Sequence, residues 1–155
     1  MPRIERVGHT VLNVSDVATA VEFYRDKLRN AYLLSDIELK ELSLDFGNFM
    51  ADEISCFINE HSINQLDAVG SHGHTVFHQP KKGITIQIGD PKPIFDVIQK
   101  PIVYDFRSQD VLLGGQGAPL VPIVDKLLFS DYDACLNLGG FSNISFDKNG
   151  SRIAF

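Results

Sequence analysis

The chain has 155 residues, 44% of them hydrophobic and 22% charged, with a formal net charge of −6. A chain of this size buries roughly two-thirds of its unfolded surface, and the composition is globular, not disordered. Nucleic acid is excluded as a partner class, because phosphate neutralisation needs a basic stripe and no basic run exceeds Lys81-Lys82. No apolar run approaches the ~20 residues of a membrane span, and MPRIERVGHT lacks the apolar segment of a signal peptide.

In chain order, RIERVGHTVLNV (residues 3–14) is rich in β-formers and predicts a strand. Ser15-Asp16 then caps a helix with Val17, Val21, Tyr24 and Leu28 on one stripe. Ser35-Asp36-Ile37-Glu38 has the spacing of a capping box, in which each residue satisfies the other's backbone amide. It opens the longest predicted helix, 36–61, with Leu42, Phe46, Phe49, Met50, Ile54, Phe57 and Ile58 on its apolar face.

Beyond residue 64, short β segments alternate with glycine and proline. LDAVGSHG (66–73), HTVFHQ (74–79) and ITIQIG (84–89) predict strands, the last two joined by a turn at Lys81-Lys82-Gly83. Residues 93–100 predict a short helix stopped before Pro101. PIVYDF (101–106) predicts a strand covered on both faces, because its apolar run is nearly continuous. Residues 122–129 predict a further helix and ACLNLGG (134–140) a strand. SNISFD and RIAF predict a hairpin across Lys148-Asn149-Gly150, where Asn-Gly supplies the positive φ angles of a type I′ turn. Strands interleaved with helices define an α/β domain over residues 1–155. The two cysteines, Cys56 and Cys135, lie in apolar segments without metal-like spacing and are expected as buried free thiols.

Three stretches carry chemistry. In GSHGHTVFHQP (70–80), His72, His74 and His78 share strand parity, which suits a metal held by three imidazoles. The other reading is a turn at Gly73 that separates them, and no nearby carboxylate completes a metal shell. Ser71 and His72, just past an apolar strand, are placed to hydrogen-bond at a sheet edge. In DFRSQDVLLGGQGAPLVP (105–122), Asp105 and Arg107 follow a strand, where α/β proteins bind ligands. Arginine can grip a carboxylate or phosphate with two bonds, glycines admit close backbone approach, and Gln116 reads a hydroxyl or carbonyl. The competing reading is a salt bridge from Arg107 to Asp105 or Asp110 beside an ordinary turn. In LNLGGFSN (136–143), consecutive amides at a Gly-Gly turn suit anionic oxygens, with Ser142 and Asn143 alongside. There is no GxxxxGK[ST] phosphate loop.

Taken in this order, GSHGHTVFHQP, TIQIGDP (85–91), DFRSQDVLLGGQGAPLVP and LNLGGFSNIS (136–145) resemble the anhydro-N-acetylmuramic acid kinase family. So does KLRNAYLLSDIELKELSLDFGNF (27–49). The resemblance implies an actin-like, ribonuclease H-like sugar kinase that opens a 1,6-anhydro ring and phosphorylates the 6-hydroxyl. It implies ATP and Mg2+ as cofactors, an amino sugar as substrate, and the bacterial cytoplasm as location. By the same resemblance Ser71, His72, Asp105, Arg107, Asp110 and Gln116 line the sugar cleft, with Arg107 on the lactyl carboxylate. Asn137, Gly139, Gly140 and Asn143 correspond to a phosphate-contacting turn. Residues 29–133 then form the sugar-binding part and 134–155 the start of a second lobe. The family's first phosphate turn has no counterpart before residue 27, and its catalytic aspartate falls past Phe155. The expectation is therefore a chain truncated at both ends, with no catalytic residue and no metal ligand of its own.

Residues 1–28 resemble instead the opening β-α unit of the vicinal-oxygen-chelate, glyoxalase-like superfamily, where the position of His9 often ligates metal. Arg29-Asn30-Ala31 stands where that superfamily has a glycine turn. Two alternatives follow: a glyoxalase-like metal protein using His9 with some of His72, His74 and His78, or a non-catalytic α/β remnant that self-associates as a homodimer.

Overall fold

The longest element begins where Ser35 turns its side chain back on the backbone. In the computed structural model, which describes residues 21–118, 120–138 and 142–154, the Glu38 amide donates to Ser35 Oγ at 3.4 Å. Glu38 Oε2 accepts from the Ser35 amide at 2.8 Å. This is the expected capping box, and helix α1 runs from it over Asp36–Glu60. Leu42, Phe46 and Met50 are buried on the anticipated stripe, which Leu39 extends by one turn. Phe49 and Ile54 lie against them, whereas Phe57 and Ile58 stay half-buried at the far end.

The described residues fall into two units, the first comprising residues up to 77 with 86–105, the second 78–85 with 106–155. The predicted strand over 3–14, His9 and the capping pair Ser15-Asp16 lie outside the described residues.

In the first unit, a π-helical segment Phe23–Leu28 precedes α1. Its Phe23 ring stacks on Phe46 and Phe49 at 5.7 and 5.0 Å between centroids. Strands β1 (Val69–Ser71), β2 (His74–Gln79) and β3 (Ile84–Ile88) follow. β2 and β3 pair as a hairpin whose tip, 78–85, groups with the second unit. The Lys-Lys-Gly turn is a 3-10 turn over Pro80–Lys82, closed by Gly83 in the left-handed conformation. Helix α2 spans Pro91–Ile98, two residues ahead of the expected start. Asp90 is its cap, accepting from the Lys92 amide at 2.8 Å, and Pro91 is tolerated in a first turn whose N–H needs no partner. Gln99 ends it with φ +55°.

α1 and α2 meet through backbone. The Gly89 amide donates to Ser43 Oγ and the Asp90 amide to the Ser43 carbonyl, both at 2.9 Å. Gly47 is buried against the Asp90 carbonyl with no room for a side chain. Leu28, Ala31, Ile88 and Ile94 complete the core around α1.

Strand β4 (Ile102–Tyr104) lies parallel to β1, with Val69 opposite Ile102 and Ser71 opposite Tyr104. The helical crossover α2 between β-elements, together with this parallel pair, makes the unit α/β. The expectation that this strand is covered on both faces is corrected: Val103 and Tyr104 are 53% and 54% exposed. An apolar run records strand tendency and does not by itself report what lies on each face.

In the second unit, helix α3 (Ser108–Leu112) lies in a stretch for which the sequence predicted no helix or strand. Helix α4 spans Leu120–Leu128, and β5 (Ala134–Leu138), β6 (Ser142–Lys148) and β7 (Ser151–Ala154) form an antiparallel sheet. The β6–β7 turn is the predicted one, with Asn149 and Gly150 at φ +53° and +79°. One sheet face carries Cys135, Ser145 and Arg152, and α4 reaches it where the fully buried Ser145 donates to Asp125 Oδ2. Arg152 Nη2 lies 3.1 Å from Cys135 Sγ on the same face. The opposite face shows Leu136 and Leu138 62% and 73% exposed. Both cysteines are free thiols, but the expected burial is corrected, since Cys56 is exposed and Cys135 half-buried.

Candidate functional site

Ser71 and Tyr104 sit side by side at the C-terminal ends of two parallel strands, so the residues that follow them emerge at one edge. His72 follows β1 and Asp105 follows β4; both are exposed, while Ser71 is buried with its hydroxyl 3.8 Å from Met50 Sδ. The carboxyl edge of neighbouring parallel strands is where α/β sheets bind ligands. Asp105 holds φ +53°, a left-handed conformation that non-glycine residues adopt infrequently and that Asp tolerates better than most. The first unit thus brings Ser71, His72 and Asp105 together at a sheet edge. His72 Nδ1 contacts the Gly73 carbonyl at 3.2 Å, and burial lowers the pKa of His74 below the usual imidazole value.

In the second unit, Arg107, Asp110 and Gly117 form a closed arrangement. Arg107 is the N-cap of α3 and Asp110 lies in its first turn. Arg107 Nη1 donates to the Gly117 carbonyl at 2.8 Å, and the Gly117 amide donates to Asp110 Oδ2 at 2.6 Å. The Asp110 carbonyl also accepts from the Gly115 amide at 2.7 Å. Both polar groups of Gly117 are thereby held by charged side chains, which form shorter and stronger bonds than neutral partners. Gly117 has φ +68°, and a Cβ there would stand 2.7 Å from Val111 Cγ2 and 2.8 Å from His78 Cε1. The glycine at 117 is therefore demanded by close approach of the chain to itself. Arg107 and Asp110 are half-buried, Gln116 is exposed, and the exposed His78 ring is anchored by Nδ1 to Thr85 Oγ1 at 3.3 Å.

Asn137 and Asn143 are direct cross-strand partners in β5–β6, one exposed and the other half-buried. Gly139 and Gly140, the remainder of that turn, lie outside the described residues. The three-imidazole reading finds no support: among the described residues no group of three His, Cys, Asp or Glu is placed to hold a metal ion. His78 instead rests on Gly117. Sequence reasoning grouped His78 with His72 and His74 by strand parity and missed this contact. No local signal points to it, since it depends on the hairpin tip folding beside a loop almost forty residues away.

The mixed helices and strands of the chain fit an α/β fold, the class to which the actin-like, ribonuclease H-like sugar kinases belong. Residues 24–154 match the family model described as anhydro-N-acetylmuramic acid kinase. The chain is 49% identical over 92 residues to an anhydro-N-acetylmuramic acid kinase of Pseudomonas syringae pv. syringae (strain B728a), covering 57% of this chain and 25% of that one. The corresponding protein of Rhodopseudomonas palustris (strain BisB18) is 43% identical over 112 residues, covering 67% and 31%. That of Acinetobacter baylyi is 36% identical over 135 residues, covering 82% and 36%. The chain belongs to the anhydro-N-acetylmuramic acid kinase family. It spans about a quarter to a third of the length of these curated relatives. The match begins inside FYRDKL and takes in all three chemistry-bearing stretches, so the glyoxalase-like alternative is not favoured. Among the described residues no helix is long and apolar enough to cross a membrane.

Proposed function

We propose that this chain carries the sugar-binding part of an ATP-dependent kinase acting on 1,6-anhydro-N-acetylmuramic acid in the bacterial cytoplasm. The observation that carries the reading is the juxtaposition of Ser71, His72 and Asp105 at the carboxyl edge of β1 and β4, within a chain of this family. In the reading, these three with Arg107, Asp110 and Gln116 contact the sugar. Ser71, His72 and Gln116 supply hydrogen-bonding partners for hydroxyl and amide groups, and Asp105 accepts from a hydroxyl. Arg107 takes the lactyl carboxylate, an anion that a guanidinium can grip with two parallel bonds.

The overall conversion breaks the C1–O6 bond as water adds at C1, leaving O6 to receive the phosphoryl group. ATP, when bound, supplies that group. Asn137 and Asn143 fit its phosphates as amide donors at the mouth of a hairpin, with Gly139 and Gly140 between them. Magnesium, which kinases hold largely through nucleotide phosphates and one or two carboxylates, is assigned to no particular residue of this chain. Self-association is not part of the reading.

Because the relatives are three to four times longer than the matched part, binding is the measurement that addresses this chain. Calorimetry should detect the anhydro sugar at millimolar concentration, and Arg107→Ala should weaken binding at least tenfold, the scale of one lost charge-assisted pair. No heat from the sugar at that concentration overturns the assignment.

A further inference from the structure

We propose that His78 is a positioning residue that sets the orientation of the Arg107 guanidinium through Gly117, without itself touching ligand. The inference rests on the reading of Arg107 as the carboxylate-binding group. Three sides of Gly117 are occupied: its amide by Asp110, its carbonyl by Arg107, and its Cα by Val111 and His78. Among these contacts, that of His78 is the one coming from outside residues 107–117. The imidazole is held through Nδ1 by Thr85 on the other strand of the hairpin tip, and the adjacent Cε1 is the ring atom nearest the glycine, so the anchored edge of the ring is the one that meets Gly117. Gly117 is buried, and close contact with Val111 and His78 at its Cα leaves it little room to shift.

The consequence for Arg107 is geometric. Its Nη1 points at the Gly117 carbonyl, and a planar guanidinium with one nitrogen so directed has the plane of its other donors restricted. Removing the His78 ring opens space on one side of Gly117. The loop can then move, and the guanidinium moves with it. Bidentate recognition of a carboxylate depends on that plane, and a displacement of about 1 Å is enough to cost an order of magnitude or more. Recognition of the uncharged part of a sugar does not depend on it.

The experiment compares the chain with His78→Ala and His78→Phe. Hydrogen exchange reads the Gly117 amide, and calorimetry reads two ligands, the anhydro-muramic acid and the same anhydro sugar without its lactyl acid. His78→Ala should lower Gly117 protection and weaken the acid-bearing ligand about tenfold while leaving the neutral one within about twofold. His78→Phe keeps a flat ring against the glycine and should restore most of the acid's affinity. Unchanged Gly117 protection in His78→Ala overturns the proposal, as does an equal loss for both ligands, which would mean a general structural role. If neither ligand binds the unaltered chain, the sugar-site assignment fails, and the exchange measurement still decides whether His78 locks the loop.

Discussion

Arg107 and Asp110, three residues apart at the start of α3, grip opposite ends of the same glycine, the arginine its carbonyl and the aspartate its amide. The pair looks in sequence like a salt bridge or a ligand-binding duo. In the fold, each spends part of its bonding on the backbone of the loop that follows.

Asp110→Ala leaves the buried Gly117 amide without its acceptor. The expected cost is about 1–3 kcal/mol, the penalty of an unsatisfied buried donor. Asp110→Asn retains a carbonyl acceptor and should cost less. Urea unfolding of both variants checks the order; equal stability of Asp110→Ala and the unaltered chain refutes it.

Gly117→Ala adds a methyl group into Val111 and His78 at a positive φ, whereas Gly83→Ala meets open space at a similar φ. The second should cost about 1 kcal/mol from backbone strain alone. The first adds overpacking of about 1–3 kcal/mol on top. Denaturation midpoints of the two variants separate the contributions.

Ser35→Ala removes the cap of α1 and should destabilise the chain by about 1 kcal/mol. The reciprocal partner adds a pH signature. The bonds from the Ser35 side chain and then its backbone hold the Glu38 carboxyl below its ordinary pKa. A depressed folded-state pKa means stability present above the ordinary carboxylate value and lost as pH falls through the lowered one. Glu38→Gln should flatten the acid limb of the stability profile over that window, measured by helix circular dichroism.

His74 acts in the same direction at higher pH. Burial disfavours its charged form, so the folded chain binds a proton less readily than the unfolded one. Its contribution is complete above the unperturbed value near 6.5 and declines as pH drops below it. His74→Asn should remove that decline, and a variant profile identical to that of the unaltered chain between about pH 7 and 5 would show that burial at this position does not matter.

Ser145 is fully buried and donates to Asp125, a buried carboxylate carried by α4 itself. Ser145→Ala takes a partner from that acid and should cost about 1–3 kcal/mol. Thermal unfolding of the variant tests it; a neutral result would mean that the contact between α4 and the sheet does not depend on this bond.

What could be read from the residues alone was whatever short-range physics controls. The Ser35–Glu38 box, the 3.6-residue stripe of α1 and the Asn149-Gly150 turn each need a few consecutive residues, and each formed where expected. Family membership was equally legible, because four separated motifs in fixed order leave little to chance. What tertiary structure alone decided was partnership between distant parts. That the apolar IVY strand would show half its surface, that α3 would stand where no element was predicted, and that His78 would leave its fellow histidines to rest on Gly117 are outcomes of long-range packing. Side chains almost forty residues apart meet only after the chain has closed the loop between them, and no local preference encodes that closure.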